Sequence, residues 1–240
     1  MLLLFRPLTV IVAVYVLAAV LPAFFLLQYI YRQDQVEKEP AGLLVSLLLV
    51  GVLSALCSAV PERIGQRILD LVAEPDTIQY TVLLAFVVVA VVEEGAKFYF
   101  LKRHTWNNRN FNYRFDGIVY AAFVSLGFAA YENIRYVVNY GLSVALPRAV
   151  SAIPGHLSFA VFMGLFYGRA KFCQNRGNER GCRRNLRQAY VSAVLMHGFY
   201  DACAMLETTA SMLVFLGFVV VLFLTVFKII KRESRRDVPI

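Results

Sequence analysis

Residues 78–101 read IQYTVLLAFVVVAVVEEGAKFYFL, an apolar run of helix length that carries Glu93, Glu94 and Lys97 in its second half. A spanning helix needs about 20 mostly apolar residues at ~1.5 Å rise each, so this run is long enough to cross a bilayer. An ionised side chain at the centre of such a helix costs ~2.5–3.5 kcal/mol on insertion scales. Three of them within one turn and a half are therefore expected to face a shared polar interior rather than lipid.

Outward from this stretch, six further apolar runs span 8–30, 42–60, 117–138, 149–167, 189–206 and 212–230. The pattern predicts an all-α, polytopic membrane protein of about seven transmembrane helices. Residues 1–240 are expected to form a single transmembrane domain. The gap at 207–211 is short enough to predict a tight helical hairpin. With 59% hydrophobic and 17% charged residues and a mean hydropathy of +0.62, the composition excludes an ordinary soluble globule.

The first run has only Arg6 ahead of it and no clear small-residue cleavage site, so it is read as an uncleaved helix. Between 61 and 76, Ile64, Ile68, Leu71 and Val72 recur at helical spacing and predict an amphipathic helix lying on the surface. The cysteines Cys57, Cys173, Cys182 and Cys203 lack C-x-x-C spacing and predict neither zinc knuckle nor disulfide.

The net charge of +8 is distributed unevenly. Assigning alternate connections to opposite sides puts eighteen Lys and Arg on one side, seven of them within 169–187, and four on the other: Arg6, Arg63, Arg67 and Arg148. The positive-inside rule then predicts an N-terminus outside and a C-terminus in the cytoplasm. Loop retention explains the basic run Arg183, Arg184, Arg187, so no nucleic-acid partner is expected.

Four of the predicted spans carry ionisable residues: Glu93, Glu94 and Lys97; Glu132 and Arg135; His156; and His197 with Asp201. Glu93 and Glu94 lie four and three residues before Lys97, and His197 lies four before Asp201, so each group can meet on one helix face. Gly95, Gly127, Gly155 and Gly198 nearby allow close helix approach. Glu93 lies nine residues before Lys102, ~14 Å by helical rise, and His197 ten beyond Arg187, ~15 Å. His156 lies thirteen residues before Arg169, ~20 Å, and Glu132 sixteen beyond Asp116, ~24 Å from the cytoplasmic ends of their helices, which predicts one cavity open towards the outer side. Arg135 is read as snorkelling to the interface and Asn133 as making an interhelical hydrogen bond.

A carboxylate in an apolar cavity can act as general base on water, and histidines can hold an oxyanion or protonate a leaving amine. The combination suits peptide hydrolysis. The same residues also suit zinc, with Glu132, His156, His197 and Asp201 as candidate ligands and one position left for water. Both chemistries, no cofactor or Zn, stay open at this point. Glu93 and Glu94 point ~100° apart, so only one of them can face the water directly.

At these residues the chain resembles the PrsW family of intramembrane proteases, related to the CAAX prenyl endopeptidases. The matching pieces are E-E-x-x-K at Glu93, Glu94 and Lys97; F-x-x-x-E from Phe128 to Glu132; His156 on the next helix; and H-x-x-x-D from His197 to Asp201. The resemblance covers 78–206, which it implies is the catalytic helical core. It implies an endopeptidase that makes the first cut in a single-pass membrane protein such as an anti-sigma factor, near the outer face of the cell membrane, during envelope-stress signalling. By the same resemblance Glu93 is the favoured base, with Glu94 and Lys97 paired beside it and His156 and His197 orienting water or oxyanion. Asp201 then sets the tautomer of a histidine across the cavity or joins a metal shell, and Glu132 completes the polar wall. The prenyl enzymes usually have His and Asn where this chain has Glu132 and Asp201, which argues against prenylated substrates.

Taken singly these residues have plainer readings: Lys97 with Glu94 as a structural ion pair, His156 as a hydrogen-bonded packing residue. Five polar motifs on four helices are hard to explain by packing alone. The main rival is a proton-coupled transporter or channel, since Glu, Asp and His also build proton relays; the lack of a visible inverted repeat weakens it. A retinal protein would need a mid-membrane lysine in the last span, and Lys228 lies at its edge.

Overall fold

The structure is a computed structural model that describes residues 2–240; the side chains of residues 1–9 and 11, Arg6 among them, lie outside the described set. Among the described residues the chain is helical, with one isolated β-bridge between Tyr113 and Pro239. In order, the elements are α1 (Leu2–Gln33), α2 (Ala41–Val72), α3 (Ile78–Leu83), a π-helical stretch (Leu84–Ala90), α4 (Val91–Thr105) and α5 (Asp116–Tyr140). A 3-10 turn (Leu142–Val144), α6 (Ala145–Val150), α7 (Ala152–Asn175), α8 (Glu179–Met205) and α9 (Thr209–Arg235) follow.

Five stretches are long and apolar enough to cross a membrane: Val12–Gln33, α2, α5, Leu142–Asn175 and α9. The protein is thus a multi-pass membrane protein. The other two expected spans are helical as well. One is the run α3–π–α4, and the other is α8, whose first half is strongly charged.

The second expected span differs from the sequence reading. Instead of ending near Pro61 and yielding to a separate surface helix, α2 runs on through Pro61 to Val72. Proline removes one helical hydrogen bond, a loss that a long helix tolerates. At 32 residues α2 is ~48 Å long, well beyond a ~30 Å hydrocarbon core. Ile64, Ile68, Leu71 and Val72 on its second half are exposed, as the amphipathic pattern required.

α5 is the centre of the bundle. Its apolar window is 78% buried against 22% for α9, so α5 is wrapped by other helices while α9 faces lipid. Glycines let it be wrapped closely. A Cβ on Gly117 would lie 2.7 Å from the Gly164 carbonyl oxygen of α7, and one on Gly127 would lie 2.3 Å from the Leu48 carbonyl oxygen of α2. Such small-residue crossings hold helices together where lipid removes the hydrophobic drive. The hairpin between α8 and α9 is as short as expected, with a capping box between Thr208 and Ser211 starting α9.

At the end of the bundle where α5 begins, the C-terminal tail lies against the 106–115 connection. The Arg114 amide donates to the Val238 carbonyl (3.0 Å), and the Ile240 amide to that of Asn112 (2.9 Å). Asp34 and Glu39, between α1 and α2, are buried at this end, with Glu39 accepting from the Tyr120 hydroxyl at 2.8 Å.

Candidate active site

The π-helical stretch ends three residues before Glu93. Its wider turn leaves backbone carbonyls less well paired, and the Tyr190 hydroxyl of α8 donates to the Val91 carbonyl at 2.9 Å, tying α8 to the junction. Directly after it, α4 presents Glu93, Glu94 and Lys97 to the interior, and all three are buried. Lys97 Nζ donates to Glu93 Oε2 (3.1 Å) and to Glu94 Oε1 (2.8 Å), the i,i+4 and i,i+3 pairs expected from the spacing.

The cluster continues across three helices. Lys97 Nζ lies 3.2 Å from His156 Nδ1 of α7 and 3.9 Å from the centre of the Phe128 ring of α5. An ammonium only donates, so His156 Nδ1 accepts and the ring proton sits on Nε2, where it reaches Glu132 Oε2 of α5 at 2.9 Å. On α8, His197 Nδ1 lies 2.8 Å from Glu94 Oε1 and Nε2 lies 3.2 Å from Asp201 Oδ2. Both neighbours are carboxylates, so His197 serves both bonds only with a proton on each nitrogen. Phe159 stacks on its ring at 4.7 Å.

The structure therefore joins all six predicted site residues, with Lys97 and Phe128, into one connected network. Glu93, Glu132, His156, His197 and Asp201 line a cavity of about 470 Å³, a size usual for ligand sites of ~300–1,000 Å³. Glu94 does not line it: the side chain is fully buried behind Lys97 and His197. The mouth is framed by Glu62, Arg135, Arg148 and Glu207, at the end of the bundle away from the basic loops. One detail differs from the sequence reading, because the histidine partnered by Asp201 is His197 on its own helix.

Sequence reasoning missed Arg148. It stands on the short α6, where charge distribution alone makes it one more loop cation, yet its guanidinium reaches Glu132 Oε2 at 3.1 Å, donates to Asn133 Oδ1 at 2.8 Å and stacks on Tyr136 at 3.8 Å. Only its nearness to the start of an acid-bearing hairpin hinted at this. Asn133 also makes the expected interhelical bond, to the Ala19 carbonyl at 2.8 Å. Arg135 is exposed at the cavity mouth rather than paired in the network.

A family described as PrsW family intramembrane metalloprotease matches residues 39–229. The chain belongs to the PrsW family. Protease PrsW of Geobacillus kaustophilus is 34% identical over 187 residues, covering 77% of this chain and 76% of that protein. Protease PrsW of Clostridioides difficile is 29% identical over 211 residues, 86% of each chain, and that of Bacillus subtilis 30% identical over 184 residues, 77% and 79%. No solved structure matches. Membership in PrsW makes this an intramembrane protease, and the transporter reading gives way to it.

The family description implies a metal, and the donor set can be tested for one. Among the described residues, the group whose ligand atoms gather within 4.8 Å of one another is Glu93, Glu94 and His156. Lys97 Nζ already sits within 3.2 Å of an atom from each of these three. An ammonium at that junction neutralises the carboxylates and would repel a divalent ion. The candidates Glu132, His156, His197 and Asp201 form no such group. As arranged, these residues do not fit a metal centre in the PrsW site.

Proposed function

We propose that this chain is a seven-span endopeptidase of the cell membrane that cuts a single-pass membrane protein, such as an anti-sigma factor, with a water activated by Glu93. The carrying observation is the difference between the paired acids: Glu93 lines the cavity with one oxygen fixed by Lys97, whereas Glu94 is sealed behind it. Glu93 takes a proton from water as the water oxygen bonds the peptide carbonyl carbon. The carbonyl electrons move onto oxygen, where the Nε2 protons of His156 and His197, shared with Glu132 and Asp201, offer hydrogen bonds. The C–N bond then breaks, Glu93 returns its proton to the departing amine, and the carboxylate is restored.

Orientation follows from charge. With the basic connections inside, the N-terminus lies outside, the C-terminus is cytoplasmic, and the cavity framed by Glu62, Arg148 and Glu207 opens towards the outer face. This suits a first cut near the outer membrane surface. Residues 78–206 are the catalytic core, because every residue of the proposed machinery falls within them.

The test is cleavage of a tagged anti-sigma factor in proteoliposomes, with the cut mapped by mass spectrometry. Glu93→Gln is expected to lower turnover by about 10²–10⁴, the usual contribution of a general base, while the protein folds normally. Normal turnover by that variant removes Glu93 as the base. Failure of the parent to cut any membrane substrate, with solute or proton movement instead, removes the endopeptidase reading.

A further inference from the structure

We propose that the groove between α7 and α8 at the basic end of the bundle binds one anionic phospholipid, its phosphate held by Arg169 and Arg184 and one acyl chain lying along α8. The groove is a cavity of about 420 Å³ lined by Arg114, Arg169 and Arg184, with Phe166, Phe172 and Gln188 among its walls. A second hollow of about 280 Å³ adjoins it and shares Phe166 and Gln188. Its remaining lining is Arg187 at the top and then Val191, Ser192 and Leu195. One hollow is cationic and the other apolar, and they meet end to end.

Helical periodicity explains why. Arg184, Gln188, Val191 and Leu195 recur at spacings of four, three and four, so they form one stripe on α8 that passes from charge to hydrocarbon. Phe166, Arg169 and Cys173 form the facing stripe on α7. From Arg184 to Leu195 is eleven residues, ~16 Å of helix, about the reach of a fatty acyl chain. Val191 and Leu195 are exposed at 42% and 49%, as side chains against a lipid would be.

Charge complementarity selects the headgroup. Glu233 is the one carboxylate that pairs with the arginines of the groove among the described residues; it holds Arg114 at 3.0 Å and Arg169 at 3.7 Å, and is shared with Arg232 at 2.8 Å. Arg184 and Arg187 have no carboxylate within salt-bridge distance among the described residues. Guanidinium groups bind phosphate oxygens in forked pairs, and basic pockets between transmembrane helices bind anionic headgroups. The site is independent of the catalytic reading and needs only that the bundle sits in a bilayer.

Native mass spectrometry of the full chain released from nanodiscs tests this. With phosphatidylglycerol and phosphatidylcholine supplied equally, one phosphatidylglycerol per chain is expected to remain bound, at least tenfold preferred. Arg169→Gln with Arg184→Gln is expected to lower that retention about tenfold or more, and Leu195→Trp, which fills the apolar hollow, to lower it as well. Arg183→Gln is the control: it is equally basic and exposed but pairs with Glu179 at 3.1 Å, so retention stays unchanged. Equal retention of both lipids, or equal loss with Arg183→Gln, overturns the site. Displacement by inorganic phosphate, with Leu195→Trp silent, makes it a plain anion site and overturns the lipid.

Discussion

Two sets of carboxylates are buried in this bundle, and they are treated in opposite ways. In the cavity network each acid has a cationic partner: Glu93 and Glu94 on Lys97, Glu132 on Arg148, and Asp201 on the doubly protonated His197. Near the start of α5, Asp34 and Glu39 are buried and, among the described residues, form no ion pair; Asp34 Oδ2 and Glu39 Oε2, like Glu94 Oε2 in the network, lack a hydrogen-bond partner. Burial is the leading force there, pushing Glu39 up to about 7 and Asp34 up to about 6, with neighbouring acids adding to it. The contrast teaches that burial alone does not make a site. Fixed charge in a water-excluded place requires compensation by fixed charge, and the protein supplies it around the cavity but not at Asp34 and Glu39.

The largest effect that can break the contrast comes from removing that compensation. Lys97→Met leaves two adjacent buried carboxylates without their ammonium, and a broken buried pair costs about 3–5 kcal/mol. Thermal unfolding in detergent is expected to show this drop together with loss of cleavage. Lys38→Met at the other end, where the ammonium bonds the carbonyl oxygens of Tyr31 and Asp34, is expected to cost under about 1 kcal/mol, as exposed charges do. Equal losses would erase the difference between the two regions.

A smaller effect sharpens the role of Arg148. Its bonds to Glu132 and Asn133 orient the acid that in turn holds His156. Arg148→Gln is expected to lower kcat about tenfold, the worth of one charge-assisted hydrogen bond of ~1.5–3 kcal/mol at its lower end, with KM little changed. Arg148→Lys is not expected to restore it, because a point charge cannot fork to two acceptors and stack on Tyr136 at once. A fall in folded protein with kcat per folded molecule intact would make Arg148 merely structural.

The sequence was legible where partners share a helix. Spacings of three and four foretold the bonds from Lys97 to Glu93 and Glu94 and from His197 to Asp201, and apolar run lengths foretold a helical membrane bundle. Meetings between helices were not legible, because they depend on rotation about each axis. The bond from His197 to Glu94 joins α8 to α4 just after a π-helical stretch that no apolar pattern announces. Arg148 was obscured for the same reason: its partners Glu132 and Asn133 lie across the α5–α6 connection. Pro61 misled differently, since proline marks a break by propensity but α2 keeps its helix through it.

The smallest effect lies at the uncompensated end and concerns pH. Glu39 ordinarily titrates near 4.5 and is raised to about 7 in the fold. Between those values the folded protein holds a proton that the unfolded chain has lost. Unfolding there releases protons, so stability falls as pH rises through the window and levels off above it. Asp34 contributes with the same sign, from 3.8 to about 6. Glu39→Gln keeps an acceptor for the Tyr120 hydroxyl and removes the titration. At pH 8 it is expected to be more stable than the parent by on the order of 1 kcal/mol, and near pH 5 equal to it. Thermal unfolding followed from pH 5 to 8 decides the matter: a parent curve already flat, or a Gln variant with the parent's slope, would mean that this acid finds compensation after all and that the two ends of the bundle follow one rule.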